Sequence, residues 1–177
     1  MIGSGCSIDA PSCLADGRTM VEAIVNYACA KSEVNKVLEI KSLRFEKLIE
    51  LFRNYLDENL RIIDYYGETV EPNLHHLFLA EQIKKGNFIM TTNFDFLLEC
   101  ALINSKVPVE KIIPVITKKD FTKFANPQKL SEEGKKAIYK IHGSTKNMIS
   151  GEDTRETLLL QPYKRLDRAR KAIMFSS

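Results

Sequence analysis

The chain has 177 residues, enough for one domain with a buried core, and its 44% hydrophobic and 28% charged residues are ordinary for a soluble globular protein. A net charge of +3 is too small to argue for nucleic acid or an anionic membrane, and no apolar run approaches the ~20 residues of a membrane span. Cys6, Cys13, Cys29 and Cys100 include no Cys-x-x-Cys pair, which fits neither a zinc site nor a disulfide framework and leaves reduced thiols in a cytoplasm as the expectation.

The chain opens on Met1-Ile2 and then a glycine-rich turn, Gly3-Ser4-Gly5-Cys6-Ser7. Glycines at alternate positions let a backbone approach phosphate oxygens and point N–H groups at them. Ile8 stands where a G-x-G-x-x-G fingerprint needs its third glycine, so that dinucleotide pattern is not met, and a plain N-terminal turn is the simpler reading. Asp9, Pro11 and Ser12 continue a loop to about Gly17. Residues 18–85 read as a mainly helical segment. From Arg18, Met20, Ala23, Ile24, Tyr27 and Ala28 share one helical face. Residues 42–65 read as one long helix with Phe45, Leu48, Ile49, Phe52, Leu56, Leu60 and Ile63 as its stripe; Glu46, Lys47, Arg53, Asp57 and Glu58 read as a solvated face. Pro72 starts a further helix with Leu74, Phe78, Leu79 and Ile83 expected to point inward. His75 and His76 fall within it and read as packed or surface histidines, since no second ligand cluster accompanies them.

Residues 87–95, NFIMTTNFD, are the most informative stretch. Lys84-Lys85-Gly86 ends a helix, Phe88-Ile89-Met90 reads as a buried strand, and apolar character stops at Thr91-Thr92-Asn93-Phe94-Asp95. A helix follows, with Phe94, Leu97, Leu98, Ala101 and Leu102 at helical spacing. The polar cluster therefore lies where a strand hands over to a helix, the edge at which open α/β sheets bind ligands. The competing reading is that Thr92 or Asn93 caps the helix. Ile112, Ile113, Val115 and Ile116 make a second strand, which Pro114 assigns to an end or edge. Residues 118–135 read as an irregular connection with one short helix and solvated lysines. Ala137-Ile138-Tyr139-Lys140-Ile141 is a third strand, running into His142-Gly143-Ser144. Leu158-Leu159-Leu160 reads as a short strand and residues 161–177 as a helix.

Three strand ends, residues 3–7, 91–95 and 141–144, occur in an order that resembles the sirtuin-like NAD-consuming fold, most closely its prokaryotic antiphage NAD-hydrolase branch. That family carries a Gly-Ala-Gly-x-Ser loop, a Thr-(Thr/Gln)-Asn-x-Asp strand end and a Lys-(Leu/Ile)-His-Gly-Ser strand end; here Ser4 replaces the alanine of the first. The stretch from His75 to Gly86, preceding the Asn-bearing strand, is similar too. The resemblance implies an α/β, Rossmann-like three-layer fold with a parallel sheet and a helical insertion, formed as a single domain over residues 1–177. It implies NAD as substrate, with Gly3, Ser4, Gly5, Cys6, Ser7, Thr91, Thr92, Gly143 and Ser144 at the cofactor. His142 is the implied general base, with Asn93 at the ribose or a water and Asp95 supplying negative charge or holding the nicotinamide amide. Imidazoles ordinarily titrate near ~6.5, which suits that role.

Departures from the family pattern select among its activities. No cysteine follows Cys100, so the zinc module of protein-deacylating sirtuins is missing, and the Asp-Phe-Arg element after the first motif is absent. NAD hydrolysis is thereby favoured over deacylation. A non-catalytic nucleotide-binding or assembly module, and a zinc-free deacylase or ADP-ribosyltransferase, are the alternatives. The short lead-in before Gly3 and the lack of a late Gly-x-Ser strand end suggest a domain incomplete at both ends. The resemblance also implies a homo-oligomer or a fused C-terminal sensor domain, while the missing zinc module, the lack of an apolar span and the small net charge lead to the expectation of no metal, no membrane and no direct nucleic-acid partner.

Overall fold

The computed structural model describes residues 1–158. Its longer elements are helices α1 (Gly17–Ala28), α2 (Val34–Leu38), α3 (Phe45–Tyr55) and α4 (Leu74–Lys84), strand β1 (Ile89–Thr91), α5 (Leu97–Asn104), β2 (Ile112–Val115), α6 (Lys118–Lys123), α7 (Pro127–Glu132) and β3 (Lys136–Lys140). The sheet is parallel throughout, in the order β1-β3-β2. Ile2 extends it by a parallel bridge to Thr91, donating to Met90 O at 2.9 Å and accepting from Thr92 N at 3.2 Å. The first turn, the end of β1 and the end of β3 therefore leave the sheet at one edge. Pro114 lies on β2, an outer strand among the described residues, where its missing N–H costs no central ladder bond.

Alternation along β3 sorts the layers. Ile138 faces α4 and α5, packing with Ala80, Ile83, Leu98, Ala101 and Leu102; Ala137 and Tyr139 face the opposite side, with Leu130 of α7 and Phe121 of α6. Helices thus cover both faces of a parallel sheet, an α/β, Rossmann-like arrangement. Residues 118–135 hold two short helices where one was expected. Thr117 and Asn126 cap them with their side chains, and Pro127 sits in the first turn of the second.

The helical segment departs most from its periodicity. Residues 42–65 are not one helix: α3 ends at Tyr55, Leu60 adopts a left-handed φ of 48°, and a 3-10 run covers Arg61–Gly67. Asp57-Glu58-Asn59 is the break, with the Asp57 carboxylate accepting from Ile62 N at 3.4 Å. Reversal there buries Leu60, Ile63 and Tyr66 beside Leu48 and Ile49, leaving Leu56 71% exposed. Each fully buried aliphatic chain contributes ~1.5–3 kcal/mol, which outweighs the few tenths that helix continuation offers per residue. Two faces are rotated from expectation. α1 buries Met20, Val21, Ile24 and Val25 while Tyr27 is 91% exposed. α4 buries His76, Ala80 and Ile83, whereas Leu74 and Phe78 are exposed. Leu158 is buried after a 3-10 turn at Arg155–Thr157; the rest of its expected strand and the helix over 161–177 lie outside the described residues.

Candidate functional site

The segment between β1 and α5 is shaped by its own side chains. Asn93 N donates to Thr91 Oγ1 at 3.0 Å, and Leu97 N donates to Asp95 Oδ1 at 3.1 Å. Neither Thr92 nor Asn93 caps α5; the cap position is Phe96, without a side-chain bond. Asn93 instead turns toward the first turn of the chain, donating from Nδ2 to Ser7 Oγ and to Asp95 Oδ2, each at 3.1 Å. Ser7 Oγ donates to the same Asp95 oxygen at 2.8 Å. An ionised carboxylate only accepts, so Asp95 fixes the orientation of both partners. Asn93 Oδ1, buried and without a hydrogen-bond partner among the described residues, is left as an acceptor.

Below this loop lies a buried ion pair. Lys140 and Glu99 are each 1% exposed, 3.3 Å apart, and Lys140 Nζ also donates to the Asp95 carbonyl and sits 4.6 Å from the Phe96 ring centre. Period-two alternation puts Lys140 on the same sheet face as Ile138, under α5. The charge is satisfied there by a carboxylate, a carbonyl and an aromatic face, and it ties β3 to the loop carrying Asn93 and Asp95.

α4 braces the opposite side. The Asn73 side chain accepts from His75 N and His76 N, while its Nδ2 donates to Cys6 O at 2.9 Å and Asp9 O at 3.1 Å. Asn73 N donates to His76 Nδ1 at 3.3 Å, which leaves the His76 proton on Nε2, 3.2 Å from Ser7 Oγ. A directed chain results: Asn73 N–H to His76, His76 to Ser7, Ser7 to Asp95. His76 is fully buried, and that burial holds its pKa below the usual histidine value, so the ring is neutral near pH 7. Burial likewise pushes the Cys6 thiol up, making it a poor nucleophile despite its 3.4 Å contact with Asn93.

A cavity of ≈ 90 Å³ opens above the network, lined by Ser4, Ser7, Thr92, Asn93, Asp95 and His142 from the sheet edge. Leu14, Ala15, Gly17, Phe45, Glu46 and Tyr66 close its helical side, and Phe94 lines it as well. It is too small to enclose a whole dinucleotide, so a ligand of that size would lie partly along the open rim. Of the sequence-predicted residues, Thr91 lies behind the rim, and Gly3, Gly5 and Cys6 belong to the bordering turn without lining the cavity. Gly143 and Ser144 do not line it. Gly143 has φ +81°, a Cβ there would meet Thr157 O at 2.5 Å, and Ser144 N and O bond Thr157 and Thr154 side chains. Their place in the described residues is in fixing the bend after His142.

His76 is packed and His75 exposed, as expected, but sequence reasoning missed the helical wall and the contact of His76 with Ser7. Asn73-x-x-His76 has the spacing of a helix cap and its third residue, the one signal that singles His76 out from His75. Among the described residues no cluster of His, Cys, Asp or Glu is placed to hold a metal ion, and no helix is long and apolar enough to cross a membrane. Residues 87–174 match the family described as SIR2-like domain. Searches of curated proteins and of solved structures found no match. The matched residues include β1, its polar end, β3 and His142, and the similarity supports a sirtuin-like assignment with a function connected to NAD.

Proposed function

Taking residues 87–174 as sirtuin-like, we propose that the chain is an NAD+ glycohydrolase, cleaving NAD+ to nicotinamide and ADP-ribose. The observation that carries this reading is that Asn93, Asp95 and His142, from two separate strand ends, line one cavity with Ser4 and Ser7 of the first turn. In the reaction the bond between the nicotinamide nitrogen and C1′ breaks with its electron pair going to the leaving ring, and water oxygen bonds C1′. His142 takes the proton from that water or from a ribose hydroxyl, Asn93 Oδ1 accepts from the ribose or the water, and Asp95 offsets positive charge developing at C1′. Main-chain groups of residues 3–7, with Thr92, border the rim where the phosphates would lie.

The setting we propose is defence: an antiviral or abortive-infection effector that depletes NAD, acting as a homo-oligomer or fused to a sensor domain. The narrow cavity favours, as the second reading, a nucleotide-binding or assembly module without turnover. Incubation with NAD+ and measurement of nicotinamide separates these possibilities. Release without an acyl-lysine peptide supports hydrolysis, and release that requires the peptide supports deacylation. ADP-ribose binding with no release supports the non-catalytic module. Unchanged turnover in both His142→Ala and Asn93→Ala would remove the site assignment.

A further inference from the structure

The helical wall of the cavity has a chemistry that the hydrolysis reading leaves unused. Phe45, Tyr66 and Phe94 all line it, and their ring centres lie 5.9 to 6.2 Å apart. Glu46, next to Phe45 in the first turn of α3, lines it too and has no hydrogen-bond or ion-pair partner among the described residues. Neighbouring charges on α3 are engaged: Lys47 pairs with Glu50, and Arg53 donates to Leu158 O. Asp95 is a second carboxylate in the lining, and among the described residues no lysine or arginine lines the cavity.

Aromatic rings and two carboxylates, with no lysine or arginine beside them among the described residues, match a planar ring bearing positive charge. A phosphate would meet repulsion in the same place. On the reading of this cavity as an NAD site, we propose that Glu46 is a specificity residue, selecting the positively charged nicotinamide ring of NAD+ over the neutral dihydronicotinamide of NADH. An acidic residue in the first turn of α3 also complements the helix dipole. That effect acts on folding and is blind to the redox state of a ligand.

Glu46→Gln keeps the side-chain shape and removes its charge. Binding of NAD+, NADH and ADP-ribose to the purified full chain, with nicotinamide release alongside, tests the assignment. The variant is expected to bind NAD+ roughly tenfold more weakly while binding NADH and ADP-ribose as before. Glu46→Asp, which retains the charge, is expected to keep the preference for NAD+. Equal weakening of NAD+ and NADH would overturn the proposal, as would a Glu46→Gln protein indistinguishable from the parent. Nicotinamide release by the parent together with an unaffected variant defeats the role of Glu46 and leaves the hydrolase reading standing. A parent protein that binds neither NAD+ nor ADP-ribose defeats both.

Discussion

The two walls of the cavity are built differently. The sheet-edge wall, carrying Asn93, Asp95 and His142, is anchored from beneath by the parallel register of β1 and β3, by the Lys140–Glu99 pair and by the Ser7–His76 chain. The helical wall, carrying Phe45, Glu46 and Tyr66, packs through apolar and ring contacts and is clasped by long arginines. Arg155 reaches Asp64 at 2.7 Å and Asn59 O at 3.0 Å, and Arg53 reaches Leu158 O at 2.7 Å. Groups that move protons need fixed geometry, whereas a wall that selects a ring by charge and face tolerates small shifts. On the proposed reading, chemistry falls to the anchored wall and selection to the helical one.

The contrast fails if the rigid wall can be altered without consequence. His142→Ala is expected to lower nicotinamide release by about 10²–10⁴, a loss out of proportion to any change in melting temperature, because the proton-transfer group goes while the strand end that carries it stays. Assay of release and of thermal unfolding on the same preparation checks both halves. Lys140→Met should act the other way round, through the fold. Glu99 would remain buried and unpaired, destabilising the chain by ~3–5 kcal/mol in denaturant unfolding. The double replacement Lys140→Met with Glu99→Leu is expected to recover most of that loss, since two apolar chains replace a pair that was costly to desolvate. A double variant no more stable than Lys140→Met would show that the pair is not what anchors the loop.

Legibility in the sequence follows the same division. Asn93, Asp95 and His142 could be singled out because each follows an apolar run that ends abruptly, and a strand's end is a local property. The strands were legible for a similar reason, since alternation along β3 and the break at Pro114 are short-range, whereas the three-layer arrangement came only from the resemblance to the sirtuin-like fold. The helical wall was not. Glu46 looks like one more solvated charge on α3, and only the reversal at residues 56–60 brings Tyr66 back beside Phe45 to close a cavity around it. His76 was hidden by rotation: the apolar residues Leu74 and Phe78 suggested the inward face of α4, yet the helix turns them outward. What decides that rotation is Asn73, whose side chain and N–H are committed to the cap, to Cys6 and to Asp9. A tertiary hydrogen-bond set overrode the apolar stripe.

Asn73→Ala is the next-sharpest break, because it removes the helix cap and unpins the first turn together. Loss of ~1 kcal/mol is expected from the cap alone, with weaker nucleotide binding accompanying it as residues 3–9 lose their anchor. The smallest effect expected is a pH dependence. His76 is neutral in the fold, with its pKa lowered by burial, whereas in the unfolded chain it titrates near ~6.5. Between those values the unfolded state binds the extra proton, so stability rises with pH across that window and the contribution is complete above it. Acidification from pH 7 should therefore weaken the fold, starting near ~6.5 and continuing until the buried ring itself is protonated. Protonation would also turn Nδ1 from acceptor to donor facing Asn73 N–H, breaking the chain that orients Ser7 on Asp95. His76→Gln should flatten the acid limb of the stability profile while His75→Gln largely leaves it in place, since the His75 side chain is exposed and, among the described residues, pairs with Asp9 at the surface. If the two replacements change the limb equally, the neutral ring at His76 is not what braces the sheet-edge wall.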